Sequence, residues 1–125
     1  MLFDTDVLVW ALRGNGKAAA TMEECDRRDI SVVTYMELIQ GARNRREIRT
    51  VKGFLADWGF QVLPLTENIG HRAAIYMEEY RLKAAICMAD ALLAATAVEM
   101  ELTFCTGNQK HYRLVGELDV RVFRP

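Results

Sequence analysis

The patterning of this chain predicts an α/β fold in which a short, mainly parallel sheet is covered by helices on both faces. Two observations carry that reading. Short apolar or β-branched runs alternate with longer helical segments from one end to the other, and no repeat, low-complexity tract or linker divides the 125 residues. The length itself fits one domain over residues 1–125, large enough for a single substantial core.

Leu2-Phe3 reads as a short buried strand ending near Asp4, and the next segment runs as a helix through Trp10 and Leu12 until Gly14-Asn15-Gly16 interrupts it. Lys17 to Arg28 is expected as an exposed helix. Within it, Glu23 and Glu24 stand four residues ahead of Arg27 and Arg28, the favourable order for ion pairs on a solvated face. Ile30 to Val33 is a β-branched second strand, Thr34 to Arg43 a helix, and Glu47 to Trp58 another that Gly59 ends. Gln61-Val62-Leu63 makes a third strand closed by Pro64, after which Thr66 caps a long helix reaching about Lys83. Met88 to Glu101 is an apolar helix, Thr103-Phe104-Cys105 a fourth strand, and Val120 to Phe123 a fifth.

Hydrophobic residues make up 51% of the chain and charged residues 26%, which excludes both a disordered and a membrane-embedded protein. No apolar stretch reaches bilayer length without a charge, and the N-terminus has no basic leader region, so the expected compartment is the cytoplasm. Cys25, Cys87 and Cys105 are odd in number and widely spaced, which argues against a disulfide framework or a zinc knuckle. A net charge of -1 conceals segregation, because Arg43, Arg45, Arg46 and Arg49 crowd one segment. Nucleic acid therefore stays open as a partner.

Asp90 is the most diagnostic residue. It lies in the apolar run Ala84 to Val98, and the positions three and four away hold Cys87, Leu93, Ile86 and Ala94, so no ion pair within a helical turn can offset its burial. A helix dipole would contribute only about 0.3 to 1 kcal/mol, less than an unpaired buried carboxylate costs. Asp4 and Glu37 have similarly apolar settings, and the three together point to a shared metal site. Each also has a plainer explanation: Asp4 can end a strand or cap the next helix, and Thr34-Tyr35-Met36-Glu37 matches a capping box. In a parallel sheet, ligands gather at the carboxyl ends of the strands, where Asp4, Glu37 and the Thr106-Gly107-Asn108 turn are all expected. His71 reads as a surface residue; His111, in a polar loop beside the pocket, does not.

Four blocks carry a resemblance. They are Leu2-Phe3-Asp4-Thr5-Asp6-Val7-Leu8, Ser31 to Gly41 around Glu37, Ala89 to Ala97 around Asp90, and Thr106-Gly107-Asn108-Gln109-Lys110-His111-Tyr112. In this order and spacing the chain resembles the PIN domain family, and within it the VapC-type toxins of toxin–antitoxin pairs. The resemblance implies an α/β/α sandwich and a metal-dependent ribonuclease, with Asp4, Glu37 and Asp90 as the carboxylates gathering the metal. It also implies a small antitoxin partner and a homodimer, in which Ile39, Trp58, Tyr76 or Tyr80 would serve either the interface or the core. Many relatives carry a fourth acid after strand four, where this chain has His111.

All-oxygen ligation suits a hard cation, so magnesium or manganese is expected, with Asp4 and Asp90 as direct ligands and Glu37 either a ligand or the residue that orients the attacking water. Asp6 is a candidate extra acid. Thr106 and Asn108 are placed to hold phosphate or the acids by hydrogen bonds, and Lys110 with the cluster beginning at Arg43 can neutralise RNA phosphates. Two rival readings remain. Asp4-Thr5-Asp6 imitates the nucleophile and acid of a haloacid-dehalogenase-like phosphatase, and His111 in place of an acid is compatible with a non-catalytic PIN-like binding domain.

Overall fold

The computed structural model describes residues 1–125. Five strands, β1 (Leu2–Phe3), β2 (Asp29–Ser31), β3 (Gln61–Leu63), β4 (Phe104–Thr106) and β5 (Val120–Val122), form one sheet in the order β3-β2-β1-β4-β5. Every pairing is parallel. All five strands therefore end at the same edge, with β1 in the middle, and whatever follows β1, β2 and β4 is delivered to one place.

Seven helices cover the sheet: α1 (Thr5–Leu12), α2 (Gly16–Glu23), α3 (Val32–Gln40), α4 (Arg45–Asp57), α5 (Glu67–Ala84), α6 (Met88–Glu99) and α7 (Gln109–Tyr112). The pleat sorts neighbouring residues to opposite faces. Leu2 and Phe104, paired in register, join Ile69, Tyr76, Leu93 and Tyr112 in a core under α5, α6 and α7. Phe3 and Cys105, the next pair along, join Val7, Met22, Leu38 and Leu55 in a second core under α1 to α4. The result is the expected three-layer α/β/α sandwich.

Several boundaries differ from the sequence reading, each for a local reason. The second strand stops at Ser31 and not Val33, because the Ser31 hydroxyl accepts the Val33 N–H at 3.0 Å and starts α3 two residues early. Helix α2 ends at Glu23, five residues short of Arg28. Arg28 turns back to donate to the carbonyls of Met22 and Trp58, at 2.6 and 3.1 Å, so it cannot continue the helix. The expected pairs of Glu23 and Glu24 with Arg27 and Arg28 do not form; Arg27 pairs with buried Asp29 at 2.9 Å and Glu24 with Arg121 at 2.8 Å. The Thr66 cap holds, its hydroxyl accepting from Ile69 N–H. Ala85 adopts a left-handed conformation (φ 53°), which separates α5 from α6 and makes Cys87 the N-cap of α6. Helix α7, expected as a loop, carries Tyr112 into the core.

Tyr76 is buried, and Ile39, Trp58 and Tyr80 pack against the cores of this one chain. The large apolar side chains left in solvent are scattered over the chain, Leu82 and Met88 being the most exposed. His71 is exposed on α5, 4.0 Å from Glu67. No helix is long and apolar enough to cross a membrane. Phe104 is fully buried with its ring edge-on to Tyr112, so Phe104→Ala is expected to cost about 3–5 kcal/mol in denaturant unfolding, against roughly 0.5 kcal/mol or less for exposed Leu82→Ala.

Candidate active site

The site grows from the end of β1. Asp4 caps α1 through Thr5 N–H, which donates to Oδ1 at 2.7 Å, and its Oδ2 accepts the Thr106 hydroxyl at 2.7 Å. Thr106 closes β4 and is itself fixed by Asn108 N–H, 3.0 Å from the hydroxyl oxygen. The carboxylate is thus held across two adjacent strands and is 8% exposed. Thr5 works in both directions: its hydroxyl donates to Glu37 Oε1 at 2.7 Å and lies 3.1 Å from the Thr34 hydroxyl. Glu37 is consequently not closing a capping box. Ser31 occupies the cap of α3, and Glu37 projects from the second turn towards the end of β1.

Asp90 is the third residue of α6 and is not left unpaired. Cys87 N–H donates to Oδ2 at 3.0 Å, the Tyr112 hydroxyl donates to Oδ1 at 3.0 Å, and His111 Nδ1 lies 3.0 Å from Oδ2. The desolvation cost inferred from the sequence is met by the amide end of its own helix and by α7, and the side chain keeps 14% exposure. Asn108 Nδ2 lies 3.1 Å from the same His111 Nδ1. A single ring nitrogen serves one of them at a time: protonated it donates to Asp90, unprotonated it accepts from Asn108.

Asp6 lies at the start of α1. Its Oδ2 accepts Gly107 N–H at 3.0 Å, while Oδ1 is buried without a hydrogen-bond partner. A Cβ at position 107 would stand 2.7 Å from Asp6 Oδ2 and 3.3 Å from the Phe123 carbonyl, so a side chain there would have to displace the Asp6 carboxylate. Lys110 is exposed on α7. Arg43 lines the same groove of about 530 Å³ as Thr5 and Glu37, and its guanidinium lies 3.2 Å from Glu47. Of the proposed phosphate contacts it is the one paired with a carboxylate. Sequence reasoning missed Thr5 and Tyr112. Thr5 was discoverable as a hydroxyl next to Asp4, whereas Tyr112 meets Asp90 only through tertiary structure.

Burial, reinforced by the charge on Asp6, pushes the Asp4 carboxyl up to about 7; Asp90 adds a smaller push, and the bonds from Thr106 and Thr5 oppose it. Burial also raises Asp6. No three acidic, histidine or cysteine side chains stand close enough to make a finished ligand cage. The donor set nevertheless fits a hard divalent cation: it consists of carboxylate oxygens, and Asp4 and Asp6 resist ionising beside one another, a preference that a bound cation reverses.

The family model described as "PIN domain" matches residues 1–117. Ribonuclease VapC10 of Mycobacterium tuberculosis is 39% identical over 123 residues, covering 94% of this chain and 90% of the relative. Among solved structures, DNA-bound VapBC from Salmonella typhimurium aligns with a TM-score of 0.84 at 20% identity, over 97% of this chain and 96% of the other. VapBC2 from Rickettsia felis, bound to a promoter DNA fragment, aligns at 0.83 and 17%, over 98% of each. These two likenesses concern the fold.

The raised Asp4 carboxyl has a consequence for stability. The unfolded chain releases this proton near pH 3.9, the folded chain near 7, so between those values the folded state binds more protons and stability falls as pH rises. In chelator, Asp4→Asn is expected to be the more stable protein at pH 8 by roughly a few kcal/mol and to lose that advantage below about pH 4, as read from melting curves across that range. Parallel curves for the two proteins would contradict the assignment.

Proposed function

Because the chain belongs to the PIN domain family, we propose that it is a magnesium- or manganese-dependent endoribonuclease and the toxin of a VapBC-type toxin–antitoxin pair. The observation that carries this reading is the hydrogen-bonded link from Asp4 through Thr5 to Glu37, with the charge of Asp90 felt at Asp4, all at the carboxyl edge of the sheet. Asp4 and Asp90 would hold the metal. When bound there, the cation supplies positive charge for the scissile phosphate and acidifies a water molecule. Thr106 and Thr5 hold Asp4 in one orientation. Thr5 engages only Oε1 of Glu37, which leaves Oε2 to complete the metal site or to accept a proton from the attacking water.

RNA phosphates would be met by Lys110 and by exposed Arg45, Arg46 and Arg49 on α4, more than by Arg43. An antitoxin partner is proposed from the likeness to VapBC toxin–antitoxin proteins, and a homodimer from membership of the PIN domain family. The phosphatase reading loses support from Asp6, whose Oδ2 is tied to Gly107 N–H and whose Oδ1 is buried, so neither oxygen is presented as an acid to a leaving group. The absence of a fourth acid at His111 favours the non-catalytic reading, but Asp4, Glu37 and Asp90 all remain.

The purified chain, freed of any partner, is expected to cut RNA with magnesium or manganese and to stop in chelator. Asp90→Asn should lower the rate by at least roughly 100-fold, more than the usual loss from disturbing a residue behind a metal ligand. Undiminished cleavage by Asp90→Asn would sink the mechanism, and hydrolysis of small phosphate esters with RNA left intact would restore the phosphatase. Cleavage should also weaken over tens of millimolar of added salt, on the order expected when several phosphates are neutralised.

A further inference from the structure

Tyr112 is 1% exposed, and its ring sits edge-on to Phe104 with centroids 4.9 Å apart. Phenylalanine would fill that space equally well. The hydroxyl therefore needs its own explanation, because a buried phenol without a partner is costly. Its partner is Asp90 Oδ1 at 3.0 Å. A carboxylate can only accept, so the phenol is the donor.

The two oxygens of Asp90 are used unequally. Oδ2 receives Cys87 N–H and faces His111 Nδ1, whereas Oδ1 receives the Tyr112 hydroxyl alone. A carboxylate oxygen accepts along two lone-pair directions, so Oδ1 keeps one direction to spare whichever partner His111 serves. With Cys87 N–H on one oxygen and Tyr112 on the other, rotation of the carboxylate is blocked from both sides.

We propose that Tyr112 is a positioning residue for metal binding, which fixes the Asp90 carboxylate so that the second lone pair of Oδ1 is presented to the cation. This rests on the reading of Asp90 as a metal ligand. The role is carried by α7: Phe104 and the core hold the ring, and the ring sets the hydroxyl. Residues behind a ligand typically change metal affinity by about 10–100-fold when lost, even though they never touch the metal.

The test is manganese binding by the purified chain, measured by calorimetry in wild type, Tyr112→Phe, Asp90→Asn and the double variant, alongside melting curves in chelator. Tyr112→Phe should bind manganese about ten-fold more weakly while retaining its fold, and should recover most of its RNA cleavage at saturating metal. In the Asp90→Asn background, the same change should have no further effect on affinity. A Tyr112→Phe protein binding manganese within about two-fold of wild type overturns the proposal, as does one that loses melting temperature without losing affinity. Wild type that binds no manganese overturns the metal reading itself, and this assignment with it.

Discussion

The hydrogen bond from the Thr106 hydroxyl to Asp4 joins the ends of the two central strands at the point where their chains leave the sheet. A parallel sheet of five short strands has few other ways of fixing its carboxyl edge, since each strand contributes only two or three residues to the ladder. This bond fixes where α1 begins and orients Asp4. Through the neighbouring Thr5 it also ties in Glu37 from α3. Asn108 N–H, bonded to the same hydroxyl, turns the chain out of β4 towards α7, from which Tyr112 and His111 reach Asp90. The site and the sheet edge are one hydrogen-bonded assembly.

Periodicity and caps are local properties, and so the strand and helix order was legible from residues such as Ile30, Thr66 and Gly59. The misplaced boundaries depended on which of several available side-chain bonds formed, one of them reaching across the fold. Nothing near Arg28 announces that it will seek the carbonyls of Met22 and Trp58, whereas Ser31 and Thr34 are both good caps and the sequence reading chose the later one. Helix α7 escaped notice because four residues are too few for a period to show.

The site was legible in a similar way. Asp90 was found because its helical neighbours are apolar, and that much is written in the chain. No ion pair within a helical turn relieves it, as the sequence indicates, but the helix end does more than its dipole alone suggests: the break at Ala85 exposes the N-terminus of α6, and Cys87 N–H bonds the carboxylate directly. Tyr112 lies 22 residues from Asp90, and only the tertiary structure brings the two together. Arg43 carries a partner that the sequence reading did not assign to it, Glu47 one turn along.

Gly107 and Asp6 come from distant parts of the chain, yet they occupy one space. The Asp6 carboxylate fills the volume that any side chain at position 107 would need, with the Phe123 carbonyl closing the other side. Variation at these two positions is therefore constrained jointly. A residue larger than glycine at 107 requires Asp6 to swing aside or shorten, so the room at either position is set by the residue at the other.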